Sequence, residues 1–450
     1  FKQKTAYEIR LSLVGSEMCI RDRLQVGDLI MIIQMQGAII KTFAVVGGQD
    51  STYGEILNYN NAGNYEFAQV YAIPNATSIV VDCGLKNNYL VTGKSQIVRV
   101  PRYNTLAVNA AGELTTDVWN GTTAGVLAVE VNGTTTINGT VTATGLGFRG
   151  GAAANNSNYG GLRFVDLGGG ANEGGLKGES IAGSVTDYSL TYGGPYAMGA
   201  PANGGGGGNC HNGGGGGGAN AGNVSGWFGY GVINPAYNVA YNLEWAGRAA
   251  IVSSGGGRGG YSFSSANLNP LTIAPGLVAW SGDNRRKNGG FGGRPLDYST
   301  GKIFLGGGGG AGHVNDLNAS NTGGTGGNGG GLIFLQVYNN ISGTGIIVSD
   351  GSNGVTATGP YPGNFSNSVN GNDSGGGGGG GGTIMLASTG NASGVTVNAN
   401  GGRGGNQAIV KGGFAGANTE AEGPGGGGGG GYIAYSNTAP ATQNVLGAVS

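Results

Sequence analysis

Five runs of glycine constrain this chain more than anything else in it: Gly204–Gly208, Gly213–Gly218, Gly306–Gly310, Gly375–Gly382 and Gly425–Gly431. Ordering a residue costs roughly 1–2 kcal/mol of backbone entropy, and glycine has the most to lose. Such runs are either free loops or segments whose peptide groups all find partners. An extended helix of three residues per turn makes no internal hydrogen bonds, so its N–H and C=O groups point outward. Without side chains, several such helices can lie side by side and bond one another. The runs are expected to pack as polyglycine helices or as glycine-lined layers on a β core, with flexible loops as the other reading.

Between the runs an irregular repeat appears. It reads "GVLAVEVNGTTTINGTVTATG" over Gly125–Gly145, "GLIFLQVYNNISGTGIIVSDG" over Gly331–Gly351 and "GTIMLASTGNASGVTVNANG" over Gly382–Gly401. "GYIAYSN", Gly431–Asn437, opens a fourth copy and lacks the second half. Each copy is an apolar strand, an Asn/Gly/Ser turn and a second strand. Alternation in the third copy places Val395, Val397 and Ala399 on one face. Residues 24–120 carry strand-length runs such as "DLIMIIQMQ" and "SIVVDCG" without glycine tracts. The expected fold is all-β: an N-terminal β domain over 24–120, then a glycine-rich region over 121–450, β-helix-like or of stacked sheets, with polyglycine segments. A β-sandwich is the alternative.

Residues 1–23 match neither part. Lys2–Arg23 carries five of the 22 basic residues, and no apolar run follows its basic start as a signal peptide requires. Reverse translation of Lys2–Glu8 and Leu13–Asp22 gives base strings that resemble the constant halves of a sequencing adapter. The four residues between accommodate an eight-base index in frame. The segment is therefore read as a translated artefact. The remainder holds 17 basic against 20 acidic residues, a net charge of −3.

That balance argues against a basic nucleic-acid surface, and charged residues at 10% argue against a solvated disordered chain. No run reaches the roughly 20 apolar residues of a membrane helix. Setting Cys19 aside leaves Cys83 and Cys210, enough for one bridge but not for a disulfide framework.

Motifs for chemistry are sparse. "VTGKS", Val91–Ser95, looks like half of a phosphate-binding loop, but Asn88 stands where the motif needs glycine. "NCHN", Asn209–Asn212, sets Cys210 beside His211. The only other histidine is His313, so a turn between two glycine runs is the better reading. "SGDNRRKNGGFGGR", Ser281–Arg294, is the one basic cluster that a polysaccharide lyase or an acidic glycan could use; a solvated loop is the simpler account. Aromatic residues could stack on sugars or wedge into glycine layers. The sequons at Asn75, Asn120, Asn132 and Asn138 fit a surface protein. No catalytic, cofactor-binding or metal-binding residue is assigned, and no cofactor is expected.

Six strings carry a resemblance: "VGDLIMIIQMQGA" (Val26–Ala38), "GNYEFA" (Gly63–Ala68), "IVRVPRYN" (Ile97–Asn104), "GLGFRGG" (Gly145–Gly151), "KGESIAG" (Lys177–Gly183) and "GAPANGGGGG" (Gly199–Gly208). With them, residues 24–225 resemble the glycine-rich surface proteins of Bacteroidota, often type IX secretion cargo near gliding and adhesion functions. The resemblance implies export, a cell-surface or extracellular site and no catalysis. The sequence stops at Ser450 without a recognisable sorting domain, so a released or polymerised product is expected. The function expected is a structural subunit that associates with itself into a filament or fibre. The alternative is an adhesin or glycan-binding module with extracellular polysaccharide as partner, and a β-helical polysaccharide-degrading enzyme is a remote third.

Overall fold

In the computed structural model the described residues are 7–10, 24–42, 52–155, 163–166, 174–210, 212–232, 252–264, 287–314, 323–357, 373–406 and 420–448. Seven strands open the chain: β1 (Tyr7–Arg10), β2 (Leu29–Gln34), β3 (Ile39–Ile40), β4 (Ile56–Asn58), β5 (Tyr65–Asn75), β6 (Ser78–Val81) and β7 (Ser95–Val100). Five of them form an antiparallel sheet ordered β1-β6-β5-β2-β7, while β3 pairs with β4. The run "LIMII" that opens β2, residues 29–33, is apolar throughout because both its faces are covered. Ile30 and Ile32 meet Val70, Ile79 and Val81 on one side. Met31 and Ile33 join a larger aromatic core on the other. β1, from the segment read as extraneous, adds to the open edge of β6.

The repeated units then stack in parallel. The first holds β8 (Arg102–Tyr103), β9 (Leu106–Val108) and β10 (Glu113–Leu114), and the second β11 (Val126–Val131), β12 (Thr135–Ile137) and β13 (Thr140–Thr142). After the short helix α1 (Val185–Thr191) and strand β14 (Phe263–Ser264), the third unit has β15 (Leu332–Val337), β16 (Ile341–Ser342) and β17 (Ile346–Val348). The fourth has β18 (Thr383–Ser388) and β19 (Thr396–Asn398). Past β20 (Glu420–Ala421), the fifth has β21 (Tyr432–Tyr435) and β22 (Thr442–Asn444). Like follows like into sheets ordered β21-β18-β15-β11-β8, β10-β13-β17-β19-β22 and β16-β12-β9. Every register is in step; Leu127 faces Ile333, which faces Ile384, which faces Ile433. These rows, with Val141, Ile347 and Val397, fill the space between the sheets.

Two expectations are corrected here. The "GYIAYSN" copy does have a second half, because Thr442–Asn444 pairs with β19. Its strand, "TQN", carries no apolar residue and so gave no signal. The all-β expectation, β-helix-like or alternatively a sandwich, also fails. Strands make up 28% of the structure and helices 4%; the sheets are mostly parallel, like those of α/β proteins, and no barrel closes. The chain does not wind steadily from one unit to the next: β13 ends at Thr142 and β15 begins only at Leu332. Glycine accounts for the difference. A bare backbone satisfies its peptide groups in three directions rather than two, so the intervening chain builds a separate layer instead of extending the ladders.

In that layer hydrogen bonds recur every third residue. Gly215 and Gly218 donate to Gly375 and Gly378, Gly214 and Gly217 to Gly260 and Gly257, and Gly213, Gly216 and Ala219 to Asn209, Gly206 and Asn203. One segment thus serves three neighbours in rotation, as a helix of three residues per turn must. Likewise 375, 378 and 381 donate to 423, 426 and 429, while 376, 379 and 382 donate to 355, 352 and 349. None of the glycines in the five runs has a positive φ, as a polyproline II-like helix requires. Spacing is so close that a Cβ on Gly377 would lie 2.0 Å from the Gly216 carbonyl oxygen, and one on Gly379 1.9 Å from that of Asn328. Only glycine fits there.

Candidate functional site

Charge is scarce in this chain, and much of the buried share fastens the glycine layer to the sheets. Lys177, in "KGESIAG", has no exposed surface. Its Nζ donates to the carbonyls of Phe164, Ala197 and Gly199, each at 2.7 Å, and lies 4.8 Å from the Tyr53 ring centre. Three acceptors use the three N–H bonds that only the ammonium carries. Burial drives its pKa well below the usual lysine range. Two residues on, buried Glu179 accepts from the backbone N–H and Nε of Arg149 and from Nε2 of Gln36, which ties the N-terminal sheet to the glycine layer. The Glu179 hydrogen bond raises the Arg149 pKa against the opposing effect of burial. These groups are spent on protein acceptors and donors, so their chemistry is that of a clamp. They went unnoticed in the sequence. The available signal was two opposite charges two residues apart in a stretch almost without charge.

Aromatic rings pack on bare backbone around the same layer. A Cβ on Gly63 would meet the Phe304 ring at 2.3 Å, one on Gly229 the Phe291 ring at 2.3 Å, and one on Gly199 the Tyr53 ring at 2.5 Å. Of the two roles open to aromatics in the sequence, these rings take the wedging one.

Sequence candidates scatter. Val91–Gly93 is a single 3-10 turn that runs through left-handed Lys94 into strand β7 and not into a helix, so it lacks the frame of a phosphate loop. His211 lies outside the described residues. Cys210 is buried, and His313 is held through Nδ1, 3.0 Å from the backbone nitrogen of Asn212. Cys83 is exposed, and no disulfide joins it to Cys210. Residues 281–286 of the basic cluster lie outside the described residues. Its far end is no solvated loop: Arg294 lies 3.4 Å from the Trp227 ring centre and donates to the Tyr53 carbonyl. Burial lowers its pKa to about 10. The four sequon asparagines are all exposed.

What the fold leaves open are the two ends of the stack. One end presents β8, β9 and β10, and the other β21 and β22, each with a single ladder partner among the described residues. The apolar filling reaches both ends, at partly buried Leu106 and Leu114 and at Ile433. Tyr103 is exposed at the first end; Tyr435, Val445 and Leu446 are exposed at the second. Edge strands are usually guarded by charge. Residues 432–448 hold no charged side chain. Among the described residues, no helix is long and apolar enough to cross a membrane. Nor, among the described residues, does any group of three or more His, Cys, Asp or Glu stand close enough to hold a metal ion. No family model, curated protein or solved structure matches the chain.

Proposed function

We propose that this protein is a structural, non-catalytic subunit of an extracellular or cell-surface filament or fibre, and that copies of itself are its partners. The observation that carries the reading is the pair of open strand edges on one in-register stack. A net charge of −3 over residues 24–450 leaves little repulsion between copies. The resemblance of residues 24–225 to glycine-rich surface proteins of Bacteroidota supports an exported location. The glycine layer supports a mechanical role, because a bundle with its peptide groups bonded in three directions resists local opening.

Light scattering and electron microscopy on the full chain at micromolar concentration test the reading. Mass that grows with concentration and elongated particles are expected. A persistent monomer that binds polysaccharide would replace this reading with the adhesin, and one that cleaves it with the enzyme.

A further inference from the structure

We infer that the two ends of the stack dock on each other between copies, head to tail: β10 of one copy adds parallel to β22 of the next, with Glu113 beside Thr442, and β8 adds to β21, with Arg102 beside Ser436. This inference rests on the self-assembly reading above and names its surfaces.

The register comes from the columns already inside the molecule. Glu113 pairs with Thr140, Thr140 with Ile346, Ile346 with Thr396, and Thr396 with Thr442. In the other sheet Arg102 pairs with Glu130, Glu130 with Gln336 and Gln336 with Ala387. The next place in that column is Ser436, one step past the pair Leu386–Tyr435. Continuing each column brings its first residue back beside its last.

Hydrogen-bond parity agrees in both sheets. In a parallel ladder successive residues bond to opposite sides. At the first end Thr140 donates to Gly112 and Glu130 to Pro101, so Glu113 and Arg102 turn their peptide groups outward. At the second end Ala399 donates to Asn444, so Gln443 turns outward; Tyr432 and Ser436 donate inward, so Ile433 and Tyr435 turn outward. In each column the outward groups of the two ends are one step apart, as they are at every internal pairing. Two like ends have no such match, since the same edge would have to pair with itself antiparallel. Gln443 closes the row Leu114, Val141, Ile347, Val397 with a polar tip that keeps a free end soluble. Leu114 of the incoming copy would cover its stem.

Proline at an outward N–H spares the internal ladder and blocks the edge. Glu113→Pro and Gln443→Pro should each fold with unchanged circular dichroism and remain monomeric, because each protein alternately lacks one good end. Mixed together they should give a dimer and nothing larger, since only one intact pair of ends exists. A charge pair gives a second route that keeps the backbone. Thr442→Glu places a carboxylate beside the neighbour's Glu113 and should weaken association by about 2- to 5-fold; adding Glu113→Lys should restore it. Four outcomes would overturn the inference. Wild-type-like assembly of both proline variants would move the contact elsewhere and leave the filament reading standing. Dimers of Glu113→Pro alone would mean like ends meet. Failure of Glu113→Lys to restore Thr442→Glu would break the register. A wild-type chain that never associates would remove the filament reading itself.

Discussion

Alanine at Gly378 tests whether the glycine layer holds the fold together. The Gly378 N–H donates to the Gly426 carbonyl at 2.9 Å, and its own carbonyl accepts from Gly218 at 2.8 Å. An added Cβ would lie 2.0 Å from the Gly402 carbonyl oxygen and 2.5 Å from the carbonyl carbon. Relieving that contact moves one segment by roughly 1 Å or more, which carries both bonds out of range. Overpacking costs about 1–3 kcal/mol, and each buried peptide group left short of a partner about 1–3 more. The expected loss is at least about 3 kcal/mol. Gly447 is the control, because a Cβ there would stand 3.5 Å from its nearest neighbour, an ordinary contact. Gly447→Ala should be neutral or stabilise by about 0.4–1 kcal/mol through the unfolded chain. Thermal melts followed by circular dichroism should put Gly378→Ala roughly 6 °C or more below Gly447→Ala. Equal melting temperatures would show that the runs are free loops and refute the reasoning.

Lys177→Met should destabilise by roughly 2–4 kcal/mol in denaturant titration, because three carbonyls lose their donor while the cost of burying the ammonium is relieved; equal or greater stability would mean that the clamp does not hold. Burial raises the pKa of Tyr53 and Tyr188 above the usual tyrosine range. Their contribution is therefore complete below about pH 10 and falls by roughly 3 kcal/mol per pH unit above it, until the folded-state pKa values are reached. A Tyr188→Phe variant should make the measured fall shallower by about 1.4 kcal/mol per pH unit, and an unchanged slope would assign it to other groups. Peptide mass spectrometry of native material should find no tryptic peptide from residues 1–23, such as Thr5–Arg10; an intact one would make the segment part of the natural protein.

Apolar strands were legible in the sequence where they alternate or run unbroken. "LIFLQV" and "TIMLAS" announced β15 and β18 because both carry the rows that fill the stack. Arg102–Leu114 did not announce its place as the first unit, since its strands are two or three residues long and two of the three begin with a charged residue. β22 was silent because "TQN" sets Gln443 opposite Val397 of "TVN" in β19, so no apolar residue marks the strand. Glycine runs told that neighbours must approach closely, yet not which neighbours. The partners of Gly375–Gly382 lie in six separate stretches of chain, and a residue without a side chain carries no pairing code. Lys177 was hidden by ordinary expectation, because a lysine is read as exposed until three carbonyls are seen around it.

Diffraction from oriented assemblies tests the central claim most directly. Strands within a stack lie about 4.8 Å apart along its axis, and five units per copy make about 24 Å. Head-to-tail continuation therefore predicts a meridional reflection at about 4.8 Å, along the filament axis, with a subunit repeat near 24 Å. A spacing of about 4.8 Å found only across the filament axis, or filaments without it, would contradict the account.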